Sequence, residues 1–131
     1  RRTPSRIESV LKRRFSNHAR SKLLVIANEK NRPGVVAGIL GLCDAVIVSP
    51  ESVTMVSEAA SSGAHVVVYH DESFLHEKHK FFLENLKGRR HIELLEISQI
   101  AGHLEAYAGH RQKTRILEDH TVIRKGLESL V

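Results

Sequence analysis

The sequence predicts an α/β domain in which a parallel sheet is covered by helices on both faces. Four short runs (22–27, 44–48, 65–69 and 92–95) are apolar nearly throughout rather than alternating, the mark of strands buried on both sides. Segments of helical period separate them, so strand and helix alternate along the chain. Turn residues stand at the joints, with Gly63 and Gly88 after two helical segments and Pro4 and Pro50 early in the first helix and in the one that Gly63 ends. Right-handed crossovers between such strands give a doubly wound, Rossmann-like sheet.

Each element has its own reason. Thr3, Pro4 and Ser5 open a helix with a hydroxyl at or before the first turn, and Ile7, Val10 and Leu11 share one face. The run 22–27 has strand length, residues 28–33 form a polar loop, and 34–42 a short helix. The strand 44–48 turns abruptly into a helix over 50–62, and Gly63 is placed for a left-handed C-terminal cap. After the strand 65–69, Leu75, Lys78, Phe82 and Leu86 keep a helical period over 76–87, ended by Gly88. The short strand 92–95 precedes amphipathic helices over 98–108 and 112–129. A helix starting at Thr3 should be fed by a strand ending before Arg1, central in a flavodoxin-like order between 22–27 and 44–48. The chain opens on Arg1, not Met. Residues 1–131 are therefore expected to be one Rossmann-like domain of a longer protein, without its first strand.

Composition narrows the functional classes. A chain of 131 residues can bury one core. No apolar run approaches the roughly 18 residues of a membrane span, because Asp44 interrupts the longest one. Cys43 is the single cysteine, so no internal disulfide forms, and the expected setting is cytoplasmic, with contact at a membrane surface left open. Residues 1–22 carry a net +7 against +5 for the whole chain, which leaves the rest at −2. For Lys12, Arg13 and Arg14 the competing roles are a solvated helix face, a surface for an anionic partner, and an anion pocket. Aromatics at 5% and the lack of Trp offer no stacking platform, so nucleic acid is not an expected partner. No G-x-S-x-G, P-loop or G-x-G-x-x-G occurs, which argues against a serine hydrolase, an NTPase and a dehydrogenase. His70, Asp71, Glu72, His76 and His79 crowd together, but their spacing matches no familiar zinc pattern, and no metal is assigned.

The most informative stretch is 44–63. A buried strand running straight into a helix N-terminus holds phosphate well, because free backbone N–H groups and the positive end of the helix dipole point at the anion. The loops Arg1-Arg2-Thr3 and Ser49-Pro50-Glu51-Ser52 would lie at the crevice outside the carboxyl ends of the strands, where guanidinium groups bind phosphate oxygens two at a time. Pattern alone thus reaches a nucleotide or phosphorylated ligand. Plainer roles compete: Ser49 and Ser52 as helix caps, Glu58 as a partly exposed helix residue, Met55 as core, and Asn31 to Gly34 as an ordinary turn rather than a close backbone approach to a ligand.

Arg1-Arg2-Thr3-Pro4, Asn31-Arg32-Pro33-Gly34 through Leu42-Cys43-Asp44, and Ser49-Pro50-Glu51-Ser52-Val53-Thr54-Met55-Val56-Ser57-Glu58-Ala59 resemble the mitochondrial-fission (elongated-mitochondria) family of GT-B-like proteins. That family is considered related to nucleotide-sugar glycosyltransferases. The likeness covers about residues 1–86. It implies the C-terminal, donor-binding half of a metal-independent glycosyltransferase that takes a nucleotide-diphosphate sugar as substrate and needs no cofactor. Its partner would be an N-terminal domain of the same protein. By the motif, Ser52 and the helix N-terminus hold the diphosphate, Ser49 and Glu51 belong to the same turn, and Glu58 accepts from ribose hydroxyls. Arg2 and Thr3 meet the phosphates from the facing loop. Asn31, Gly34, His70 and Asp71 are further candidates bordering the ligand. Glu51 stands where the family shows Asp, and Ser49 where it shows Thr, so Ser49 before Pro50 competes for the cap. Two other readings share the fold: a non-enzymatic scaffold related to membrane fission, with the basic first helix against a partner or anionic membrane, and a nucleotide-sugar epimerase. No catalytic base, nucleotide base, sugar, acceptor or oligomeric state can be named from the sequence.

Overall fold

The computed structural model describes residues 3–26, 29, 32–70 and 77–118. Two compact units divide the chain, Arg1–Val35 and Val36–Val131.

In the first unit, α1 spans Ser5–Phe15. Pro4 is its N-cap, and its carbonyl accepts from the Ile7 and Glu8 amides at 2.9 and 3.2 Å. No side chain caps this helix, so the hydroxyl of Thr3 does not play the role its position offered. Ile7 and Val10 are exposed and Leu11 is half-buried. Lys12 forms an ion pair with Glu29 instead of standing wholly in solvent, while Arg13 and Arg14 are exposed. The expected strand 22–27 does not form: residues 22–26 are irregular, and Ala27 lies outside the described residues. A strand exists by pairing, and no described segment pairs with this run. Arg32 to Val35 makes a tight turn with Pro33 second and Gly34 third, closed by the Val35 amide on the Arg32 carbonyl at 3.4 Å. Gly34 has φ +80°, as a type II turn requires at that position.

The second unit carries a three-stranded sheet of order β1-β2-β3, all parallel, with β1 at Ala45–Val48, β2 at His65–His70 and β3 at Glu93–Glu96. The Rossmann-like α/β expectation is met. Helices α2 (Val35–Leu42), α3 (Val53–Ser61), α4 (Glu77–Gly88) and α5 (Ile97–His110) alternate with the strands. Side chains alternate across each strand, and the two faces are covered differently. Val46, Val48, Val66, Val68 and Leu94 share one face, where they pack with Val56, Ala59 and Ala60 of α3, Leu83 and Leu86 of α4, and Leu40 of α2. His65 and Val67 face the other side, and α5 covers them. Val66, Val67 and Val68 are fully buried, as a central parallel strand demands. Edge strand β1 has no second neighbour among the described residues, and Ile47 on it is 53% exposed.

Turn chemistry ends the helices. Gly63 (φ +82°) follows the α3 cap residue Ser62, as expected. At α4 the expectation of a glycine stop needs correction. Gly88 is the last helical residue, and the left-handed position is Arg90 (φ 63°). The Arg90 amide bonds to the Lys87 carbonyl and the His91 amide to the Leu86 carbonyl, both at 2.9 Å, which is a Schellman turn. The expected helix over 112–129 is also corrected where it is described. Residues 111–118 are irregular, and the rest lies outside the described residues. This segment crosses the amino-terminal end of the sheet, with the Arg115 amide on the Arg90 carbonyl (2.7 Å) and the Leu117 amide on the Ala60 carbonyl (2.9 Å). Thr114 explains why it lies across the strand ends. Its hydroxyl donates to the Ala64 carbonyl (3.2 Å) and accepts from the Val66 amide (3.1 Å), groups just before and within the central strand that β3, starting at Glu93, does not reach.

Arg90 bears a side chain where glycine is favoured, so Arg90→Gly should stabilise the fold by about 0.5–1 kcal/mol and raise the midpoint of thermal unfolding by a few degrees. A lowered midpoint would show that the Arg90 side chain makes a compensating contact.

Candidate functional site

The carboxyl ends of the strands are where an open parallel sheet offers its crevice. The register pairs Val48 with Val68 and His70 with Glu96, so the turn Ser49-Pro50-Glu51-Ser52, His70 and Glu96 share that edge. Helix α3 starts at Val53, three residues later than the sequence indicated, because Ser52 and not Ser49 is the N-cap. Ser52 sits in extended backbone (φ −112°, ψ 99°), and its hydroxyl accepts from the Met55 amide at 3.3 Å. The first intrahelical bond runs from the Val56 amide to the Ser52 carbonyl at 3.0 Å. The geometry of a helix start leaves the Val53 and Thr54 amides without an intrahelical acceptor, pointing out of the N-terminus. Pro50 is buried and fixes the turn, Ser49 is half-buried, and Glu51 is exposed.

Burial sorts the faces of α3. Val56, Ala59 and Ala60 are buried, and Met55 packs on the core, as its apolar neighbours indicated. Glu58 is exposed, and so are Thr54 and Ser61. Glu58 therefore shares its outward face with Thr54, at a spacing of four, and not with Met55. From Ser52 to Glu58 the helix rises about 9 Å, on the scale of a nucleoside diphosphate. Thr54 is a residue the sequence reading missed, although its place in the first turn of a capped helix was the available signal.

Thr3 and Gly34 belong to the first unit, where Thr3 is exposed and Gly34 completes a turn with open space around its Cα. Arg2, Asn31 and Asp71 lie outside the described residues. His70 is half-buried at the end of β2. The N-terminus of α5 is closed by its own side chains: Glu96 and Gln99 form a reciprocal capping box, with the Glu96 amide on Gln99 Oε1 at 3.1 Å.

A second polar cluster lies at the opposite end of the sheet, and sequence reasoning missed it. His65, at 2% exposure, stacks on Tyr107 with ring centroids 4.3 Å apart and planes 8° from parallel. Its Nε2 is 2.8 Å from Nε2 of His103, and Tyr107 donates to the Asp44 carbonyl at 3.2 Å. One Nε2 must donate and the other accept, so the two rings cannot both be charged in this arrangement. His65 Nδ1 is buried without a partner among the described residues. Burial, with His103 beside it, holds the His65 pKa below its ordinary 6.5, against an opposing pull from Glu93. The signal was a histidine heading an apolar strand, with His103 and Tyr107 one turn apart on a helix. The sequence reading looked instead at the histidines of 70–79. Among the described residues, no three His, Cys, Asp or Glu are placed to hold a metal ion.

A family model described as Mitochondrial fission ELM1 matches residues 1–119. The chain belongs to that family. An uncharacterized protein of Rickettsia prowazekii (strain Madrid E), RP120, is 30% identical over 86 residues, which are 66% of this chain and 24% of that protein. The chain thus spans about a quarter of the length of this relative. No solved structure matches it. For this ELM1-family chain, no described helix is long and apolar enough to cross a membrane.

The lowered His65 pKa fixes a pH dependence. The unfolded chain takes up a proton near 6.5 and the folded one only at lower pH, so this contribution to stability is complete above 6.5 and declines as pH falls below it. Denaturant unfolding of the native chain should lose stability from pH 7.5 to 5.5, and His65→Gln should flatten the profile. Equal slopes for both would remove His65 as the cause.

Proposed function

We propose that this ELM1-family chain is the donor-binding part of a GT-B-type glycosyltransferase whose substrate is a nucleotide-diphosphate sugar. The observation that carries the reading is the N-terminus of α3. It is capped by Ser52 and set directly after the carboxyl end of β1, with the Val53 and Thr54 amides directed outward. Ser52 and these amides hold the diphosphate, Thr54 lies beside it, and Glu58 accepts from the ribose hydroxyls further along the same outward face. Helix amides stabilise the departing nucleotide diphosphate as charge builds on it. Exposed Glu51 repels phosphate and stays in solvent, apart from the ligand. Ser49 and His70 border the site.

A second reading, a non-enzymatic interaction domain, draws on α1. Ile7, Val10 and Phe15 are exposed on the helix that also exposes Arg13 and Arg14, a pattern that suits an anionic membrane surface.

Ligand-detected NMR with UDP, GDP, CMP and their common sugars separates the two. Ser52→Ala should weaken the binding nucleotide by about 1–3 kcal/mol, the range for a lost hydrogen bond to a charged group. Glu58→Ala should weaken the nucleotide but not inorganic pyrophosphate. Unchanged affinity in both variants would remove the site, and silence from a folded sample would favour the interaction domain.

A further inference from the structure

We propose that the cavity at the amino-terminal ends of the strands binds a phosphate-bearing anion, at a site separate from the α3 N-terminus on the opposite edge of the sheet. The cavity measures about 700 Å³ and lies within the second unit. Lys87 and Arg90 line it from the end of α4, and Lys113 and Arg115 from the segment after α5. Glu93 is the one carboxylate among its described lining residues. Four cations against one carboxylate leave +3 on this wall, although the chain beyond residue 22 is net −2. Lys113 lies 3.7 Å from Asp44, but Lys87, Arg90 and Arg115 have no ion pair among the described residues.

Cations often gather at helix C-termini to meet the last carbonyls. That does not account for this group. The Lys87 and Leu86 carbonyls already accept from the backbone amides of the Schellman turn, and the Tyr107 carbonyl of α5 accepts from the Arg111 amide at 2.6 Å. Lys113 and Arg115 are not on a helix at all. Arg115 is held there by its backbone, whose amide bonds to the Arg90 carbonyl and whose carbonyl meets His91 Nδ1 at 2.9 Å, so its guanidinium is left for another acceptor. Two guanidinium groups and two ammonium groups around one concavity suit phosphate oxygens, which guanidinium binds in bidentate fashion. The volume falls in the range of small-molecule sites.

The test titrates the isotope-labelled 1–131 chain with inorganic pyrophosphate and, in a parallel arm, with phosphatidylcholine vesicles containing phosphatidic acid. The variants are Arg90→Gly combined with Arg115→Gln, whose backbone contacts are retained, and Ser52→Ala. Saturable amide shifts at residues 90, 114 and 115 are expected, with the affinity read from these shifts about tenfold weaker in the double variant and unchanged in Ser52→Ala, which acts only on the α3 edge. Loss in the double variant of pyrophosphate binding assigns a free phosphate compound, and loss of vesicle binding alone assigns a lipid headgroup. No response at residues 90, 114 and 115 to either probe, a response there that the double variant leaves intact, or shifts confined to residues 49–58 would each overturn the proposal. The last pattern would return the anion to the α3 edge, so failure here and failure of the donor-site reading remain distinguishable.

Discussion

Burial of the central strand on both faces is the constraint on which the second unit depends. A parallel strand has two neighbours in its sheet and needs cover above and below, because each crossover carries a helix over the sheet. Val66, Val67 and Val68 meet that demand with no polar atom in their side chains. Covering one face requires α3 and α4 to turn small or branched residues inward, and Val56, Ala59, Ala60, Leu83 and Leu86 do so. Covering the other requires α5, which brings the His103 imidazole and the Tyr107 phenol onto His65 at the head of β2. The position of α3, and so of its N-terminus beside the end of β1, follows from the same packing.

The two ends of the sheet carry different chemistry for one geometric reason. Strands that run parallel place all helix starts at their carboxyl ends and all helix ends at their amino ends. At the carboxyl edge, α5 closes its own N-terminus with Glu96 and Gln99, whereas α3 has only the Ser52 hydroxyl. A neutral cap satisfies one amide and adds no charge, so the positive field of α3 remains open to an anion. At the amino edge, the Val66 amide of β2 and the Ala64 carbonyl just before it, which β3 does not reach, would be orphaned. Thr114 pairs with both, which ties the 111–118 segment across the strand ends and carries Lys113 and Arg115 with it.

Much of the fold was legible because it rests on local signals. The all-apolar runs gave β1, β2 and β3 within a residue at most boundaries, and Gly63 announced the end of α3 because few other residues adopt its backbone angle. The errors share a cause. An apolar run of strand length, such as 22–26, becomes a strand only when another strand pairs with it. Thr114 and Leu117, the inward residues of the last described segment, are three apart, and that spacing imitates a helix while the chain is in fact irregular. In the candidate site, the Ser52 turn was legible from its hydroxyls and proline, but the choice of cap depended on which backbone turned first into helix.

The sequence by itself determined the alternation of strands and helices, the apolar identity of the sheet, the basic first helix and the strand-to-helix turn at 49–58. These are properties of neighbours in the chain, written in periodicity and in residues that tolerate few backbone angles. Only the tertiary structure decided that Glu58 faces solvent beside Thr54, that Arg90 takes the left-handed position, and that His65 meets His103 and Tyr107. The His65 contacts join residues about forty positions apart, a separation no local pattern encodes. They follow from which faces must be covered once the central strand is buried.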